Sequence, residues 1–268
     1  MAPSRKGLLL AHMARFVFVI SYNGTPFHGW QIQPNALTVQ ASLEQVLTKI
    51  LREEIQVVGC GRTDTGVHAS YYVLHFNFLG KFPMEDIAFK LNGILPSSIA
   101  VHEVYEVSED FHARFLATSR KYTYKIHHQK NPFLENLSWF MKHEVDLDAM
   151  NAACKLLIKH NDFASFCKSG SDQESTLCDV TQAEWKQTDV GLEFTISANR
   201  FLRNMVRAIV GTLIDVGLGN TSIERFEEII AAKNRSEAGK SAPGCGLYLS
   251  GVNYPEHGLL KRIDKWQK

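Results

Sequence analysis

Residues 55–78 read IQVVGCGRTDTGVHASYYVLHFNF. The runs Ile55–Cys60 and Tyr72–Phe78 are β-branched and aromatic, and predict strands. Between them lies an uninterrupted polar segment, Gly61-Arg62-Thr63-Asp64-Thr65-Gly66-Val67-His68-Ala69. Upstream, Arg15–Tyr22 reads as a strand ending at the turn signal Asn23-Gly24. Val39, Leu43, Val46, Leu47, Ile50 and Leu51 recur at helical spacing, with Thr38 placed to cap the helix. Downstream, Glu85–Leu95 predicts a helix and Ile99–Val107 a strand. The resulting order, β-α-β-β-α-β, is that of a ferredoxin-like unit.

The second half has a similar outline. Arg120–His128 predicts a strand. Leu147, Met150, Cys154, Leu157 and Ile158 mark a helix. Asp179–Lys186 and Leu192–Ser197 form a hairpin pair around Asp189-Val190-Gly191. Helices follow over Phe201–Val216 and Ile223–Ala232, and Leu247–Asn253 is a final strand. The expected fold class is α+β, with two ferredoxin-like, RRM-like halves whose antiparallel sheets form a shared central cleft. The expected division is a disordered extension over 1–12, an N-terminal domain over 13–112 carrying the Asp64 loop, and a C-terminal domain over 113–268. The two halves share an element order but no residue-level repeat.

Composition narrows the function classes. Of the 268 residues, 45% are hydrophobic and 21% charged, which is ordinary for a globular chain. No run approaches the ~18 apolar residues of a membrane span. The five cysteines include no C-x-x-C pair, which argues against a zinc site or a disulfide framework and for a reducing, cytoplasmic setting. A net charge of +1 does not announce a nucleic-acid binder. Neutrality nevertheless hides a basic stretch: Phe111 to Lys142 holds Arg114, Arg120, Lys121, Lys125, Lys130 and Lys142 against the single acid Glu135.

Asp64 is the candidate catalyst. Asp and Gly are also ordinary turn residues, so residue types alone leave a hairpin turn equally open. The segment is longer than a tight turn needs, and Arg62 lies two positions before Asp64. An arginine beside a carboxylate favours the ionised form, and an ionised aspartate can act as a nucleophile. Asp64-Thr65-Gly66 also spells the D-T-G of aspartic proteases, whose chemistry needs a paired second aspartate. The nearest approximation, Asp215-Val216-Gly217, lies in a helical pattern, so a protease could arise only in a symmetric dimer.

Tyr122 and Tyr124 alternate with Lys121, Thr123 and Lys125. Such a strand either lines a core or offers an aromatic face to a base, with cations on the phosphates. In the helix predicted from Phe201, Leu202, Met205, Val206, Ile209, Val210 and Leu213 form one stripe. At about 100° per residue Arg200, Arg203, Asn204 and Arg207 fall on the other side. Three arginines without an acid suit phosphate or carboxylate. His112, in Phe111-His112-Ala113-Arg114-Phe115, fits a substrate groove or a polar contact between halves. The histidines show no metal-ligand spacing.

These stretches, with Tyr22-Asn23-Gly24 through Gly29-Trp30-Gln31, Arg120-Lys121-Tyr122, Phe201-Leu202-Arg203-Asn204-Met205-Val206-Arg207 and Ala242-Pro243 through Gly246-Leu247-Tyr248-Leu249, resemble the tRNA pseudouridine synthase A (TruA-type) family. The resemblance runs from about Arg15 to Tyr254. It implies conversion of uridine to pseudouridine at positions 38, 39 and 40 of the tRNA anticodon stem-loop, without a cofactor, by a homodimer whose two subunits both contact each tRNA. It implies that the target nucleotide flips out of the stem and that Asp64 attacks either the uracil ring or the ribose anomeric carbon. It gives Tyr122 the uracil-stacking role, with candidacy for taking the carbon 5 proton. Arg62 and Arg207 would lie near the nucleophile, Arg207 pairing with it. Cys178 departs from the pattern, standing where many relatives place an arginine. The rival from another class is a non-catalytic RNA-binding module of ferredoxin-like units, which would have no use for Asp64 and its arginines.

Overall fold

The computed structural model describes residues 13–170, 174–255 and 261–264; the extension expected over 1–12 lies outside them. The described strands join in one ten-stranded sheet. Strands β1 (Ala14–Tyr22), β2 (Val58–Gly59), β3 (His68–Phe78) and β4 (Ile99–Val107) come from the first half, with helices α1 (Val39–Leu51) and α2 (Ile87–Asn92). The second half supplies β5 (Ser119–His127), β6 (Trp139–Phe140), α3 (Leu147–Lys159), β7 (Val180–Gln187), β8 (Gly191–Ala198), α4 (Met205–Gly217), α5 (Ile223–Ala232) and β9 (Leu247–Asn253). A last short strand, β10 (Lys261–Arg262), returns to pair with β4.

The sheet runs β10-β4-β1-β3-β9-β5-β8-β7, with β2 on β3 and β6 on β5. Among the described residues there is one mostly antiparallel sheet with five α-helices. The strand that makes it one sheet is β9. It pairs antiparallel with β5 along most of its length, and its start pairs parallel with the start of β3, His68 opposite Tyr248 and Ala69 opposite Leu249. Two apolar clusters fill the interior. One is built on β1, β3, β4, α1 and α2, the other on β5, β7, β8, α3, α4 and α5. Tyr122 packs against both.

Several element boundaries differ from the predicted ones, each for a physical reason. The predicted strand Ile55–Cys60 shrinks to Val58–Gly59 because α1 side chains capture its backbone donors. Ile55 N–H donates to Thr48 Oγ1 (3.1 Å) and Val57 N–H to Glu44 Oε1 (2.9 Å). Strand β3 starts at His68 rather than Tyr72 because distant β9 gives that segment a partner. The helix predicted over Glu85–Leu95 is a single tight turn at Met84–Asp86 followed by α2. Helix α4 starts at Met205, not Phe201, because Asn204 adopts a left-handed backbone (φ 65°) that a helix cannot continue through. Thr38 does cap α1, accepting from Ala41 N–H at 3.3 Å.

Two buried histidines fasten this frame in their neutral form. His75 Nδ1 accepts from Ala113 N–H (3.1 Å) and His68 Nδ1 accepts from Gly24 N–H (3.0 Å). An acceptor nitrogen carries no proton, so both rings donate, if at all, through Nε2; that of His68 faces the Cys245 carbonyl oxygen at 3.1 Å. Burial pushes the His75 ring down to about 4, with the Arg15 guanidinium adding to the effect, and burial also lowers His68. The unfolded chain, near ~6.5 for each ring, therefore binds protons more readily than the folded one. Stability is complete above that value and is lost as pH falls toward 4. The midpoint of urea unfolding should drop between pH 7 and pH 5, before ordinary carboxylates titrate. His75→Asn, which keeps an acceptor without a titrating ring, should flatten that slope; an unchanged slope would clear His75 of the role.

Candidate active site

The segment between β2 and β3 is a tight loop anchored at most of its residues. Tyr72 donates its hydroxyl to the Gly61 carbonyl oxygen (2.6 Å), and Tyr22 and Thr63 share a hydroxyl hydrogen bond (2.9 Å). Trp30 N–H donates to Thr63 O (3.1 Å) and Gly66 N–H to Phe27 O (3.4 Å). Val67 N–H returns to Asp64 O at 3.1 Å, closing a turn in which Gly66 has φ +73°. A positive φ at that third position of a turn suits glycine. Gly29 (φ +89°) passes so near that a Cβ there would lie 2.5 Å from Thr63 O. Asp64 thus opens a turn and also sits on a loop with little freedom to move. Its side chain remains 34% exposed, so it is both held and reachable.

Helix α4 delivers the counter-charge. Arg207, in its first turn, places Nη1 3.4 Å from Asp64 Oδ2. Its Nε donates to the Ala242 carbonyl oxygen (2.8 Å), and Ala242 N–H donates back to Arg207 O (2.9 Å). The guanidinium is therefore oriented from behind before it meets the carboxylate. Arg62 is exposed and has no hydrogen bond or ion pair among the described residues.

Tyr122 and Tyr124 differ in burial. Tyr124 is fully buried and donates its hydroxyl to Pro243 O (2.8 Å). Tyr122 is half-buried, its ring edge-on to Phe201 with centroids 5.1 Å apart. Burial, with the Asp64 carboxylate adding to it, holds the Tyr122 hydroxyl above the ordinary tyrosine range. The phenol is therefore protonated at neutral pH. Cys60, four residues before Asp64, is no rival nucleophile, because burial pushes its thiol up to about 12. Among the described residues, no three His, Cys, Asp or Glu side chains gather into a metal-holding set.

The remaining predicted residues lie apart from the carboxylate. Because α4 begins only at Met205, Arg200 and Arg203 precede the helix instead of sharing a face with Arg207. Arg203 is exposed, and its carbonyl oxygen accepts from Lys168 N–H (3.0 Å). His112 sits in the β4–β5 connection, its Nδ1 accepting from both Arg114 and Phe115 N–H (3.2 Å each). Cys178 faces the core, 1% exposed, and burial raises its thiol to about 11.

One residue of the site escaped sequence reasoning. Arg120 stands two positions before Tyr122 on β5 and donates to four backbone carbonyl oxygens. Nη1 reaches Ala117 (3.0 Å) and Asn199 (2.9 Å); Nη2 reaches Cys60 (3.2 Å) and Arg114 (2.5 Å). It ties the base of the Asp64 loop to the strand that carries Tyr122. Its side chain would have passed as one more surface cation, because all four acceptors are main-chain atoms with no sequence signature. Hydrogen bonds to charged groups contribute roughly 1.5–3 kcal/mol each, and water can replace some of these. Arg120→Ala should therefore lose about 2–4 kcal/mol of stability. Arg120→Lys, with one compact ammonium, should recover little of it. Urea unfolding checks this; a midpoint equal to wild type for Arg120→Ala would refute the tie.

Comparison with known proteins places this chain in a family. A model of the family described as tRNA pseudouridine synthase matches residues 18–116 and 153–255. The chain belongs to that family. Its curated relatives include the tRNA pseudouridine synthase A of Parabacteroides distasonis, 46% identical over 91% of this chain and 97% of that protein. That of Bacteroides fragilis is 46% identical over 90% and 97%, and that of Bacillus pumilus 41% over 88% and 97%. The synthase is thus an isomerase that acts on uridine in tRNA. No helix among its described residues is long and apolar enough to cross a membrane.

Proposed function

We propose that the synthase isomerises uridine to pseudouridine at positions 38, 39 and 40 of the tRNA anticodon stem-loop, with Asp64 as the nucleophile. The observation that carries this reading is the Asp64–Arg207 pair at 3.4 Å on a loop anchored at most of its residues. In the reaction the bond from the ribose anomeric carbon to uracil N1 breaks. The base turns, the bond to carbon 5 forms, and the proton of carbon 5 is released. Asp64 attacks the ribose or the uracil ring to free the base, its bond to carbon breaks again as the product forms, and N1 ends carrying a proton; Arg207 holds the carboxylate aimed. Tyr122 stacks on the uracil. As a protonated phenol it must give up its own proton before it could accept the one from carbon 5. Arg62, Arg203 and His112 contact the RNA, and the chemistry uses no cofactor.

In architecture we read two ferredoxin-like halves, 13–112 and 113–268, flanking a shared cleft. The strand orders β4-β1-β3-β2 and β9-β5-β8-β7 support this, since each places the half's last strand beside its first. We further propose a cytoplasmic homodimer in which each tRNA touches both subunits.

The test uses unmodified tRNA carrying tritium on uracil carbon 5. Isomerisation must release the label, because carbon 5 becomes the glycosidic carbon. Release confined to tRNAs with uridine at positions 38–40 is the expected result. Binding without release by folded protein would leave an RNA-binding module instead.

A further inference from the structure

Phe115 is 74% exposed, yet it is not a loose side chain. Its ring lies on the His112 imidazole, centroids 4.3 Å apart and planes 30° from parallel. His112 in turn meets His75 edge-on at 4.9 Å, and His75 is anchored by Ala113 N–H. The Arg114 guanidinium lies 5.5 Å from the Phe115 centroid. His112 Nδ1 accepts from the N–H groups of both Arg114 and Phe115, so the backbone beneath the ring is fixed as well. Leaving a large apolar ring in water costs the stabilisation that burial would bring. A chain that builds rigid support under such a ring has a platform ready for a flat partner.

The position of the platform identifies that partner. Arg120 Nη2 donates at once to Arg114 O and to Cys60 O, so the turn bearing Phe115 and the loop bearing Asp64 are held by one guanidinium group. From Phe111 to Lys130 the chain has five basic residues and no acid. An exposed aromatic face, a guanidinium beside it and a basic surround are the parts used to hold unpaired bases. We infer that Phe115, supported by His112 and flanked by Arg114, is a nucleobase-stacking platform that holds an unpaired base of the tRNA beside the catalytic loop. This rests on the tRNA reading above and adds to it a contact outside the Asp64, Arg207 and Tyr122 set.

Base–aromatic stacking is lost in full on truncation and kept by another aromatic ring. Phe115→Ala should therefore weaken tRNA binding about ten-fold, read by fluorescence anisotropy of end-labelled tRNA, with kcat at saturating tRNA far less affected. Phe115→Trp should bind as wild type or better, whereas Phe115→Leu should remain weak. Thermal unfolding should not shift, since the ring is exposed. Wild-type affinity in Phe115→Ala, or full recovery by Phe115→Leu, would overturn the platform. So would a change in sedimentation of the tRNA-free Phe115→Ala protein, which would mark the ring as a protein–protein contact. Tritium release by the wild-type synthase is scored separately, so failure of the catalytic assignment and failure of the platform give different results.

Discussion

Asp64→Asn should bind tRNA with near wild-type affinity and release no measurable tritium from uracil carbon 5. Asparagine has almost the same shape, and the loop around it is fastened through other atoms: Gly61 O, Thr63 Oγ1 and O, and Gly66 N–H. The closing bond of the turn uses the backbone oxygen of residue 64, which the substitution leaves in place. Folding should therefore survive. What disappears is the anionic oxygen able to form a bond to carbon, since a neutral amide is a poor nucleophile. Removing the nucleophile of an enzyme whose other groups only position the substrate costs on the order of 10⁴–10⁶-fold in kcat. Single-turnover release with enzyme in excess over tRNA is the decisive measurement. Turnover within ten-fold of wild type would dismiss Asp64 as the nucleophile, while lost binding together with lost turnover would point to a structural residue.

The second large effect is expected at Arg207. Its guanidinium works in two directions, donating Nε to Ala242 O at 2.8 Å and presenting Nη1 to Asp64 at 3.4 Å. Both partners of the ion pair are partly exposed, at 23% and 34%, so little global stability rests on it. Its importance lies in aim. Arg207→Ala should lower kcat on the order of 10²-fold, the scale of losing one preorganised electrostatic partner, with a much smaller change in KM. Arg207→Lys restores the charge but cannot serve both acceptors with a planar fork, so it should recover only part of the loss. A rise in KM with kcat unchanged would instead assign Arg207 to tRNA binding. The two arginines differ in setting: Arg207 is bound on both sides, while Arg62 is exposed.

Much of this frame is legible in the chain itself, and the parts that are not share a physical cause. Runs rich in β-branched and aromatic residues mark β1 and β4, and helical spacing bounds α5 at Ile223–Ala232, because these elements bury many of their own side chains. The D-T-G segment is open to two readings, and the structure lets them coexist, since Asp64 opens a turn and also meets an arginine. The start of α4 is hidden because periodicity reports where side chains point and is silent about a left-handed residue such as Asn204. The Asp64–Arg207 pair spans 143 positions, so no local spacing could reveal it; only family resemblance suggests it. The anchoring made by Arg120 is hidden for a different reason: backbone oxygens have no residue type.

Strand β9 gives the sheet a particular history of assembly. It lies between β3 and β5 and touches both, yet it is made of residues 247–253. While a nascent chain is still short of that point, each half presents a bare strand edge, the kind of surface that recruits other chains. Joining them closes contacts across most of the polypeptide's length, which is entropically late and slow. The adjoining segment also brings Ala242 to Arg207 and Cys245 to His68. The same seven residues act as a keystone: their arrival removes the two sticky edges, and the segment just before them sets the brace behind Arg207. Until its sheet is sealed, the newborn synthase lacks a finished site with which to engage a tRNA.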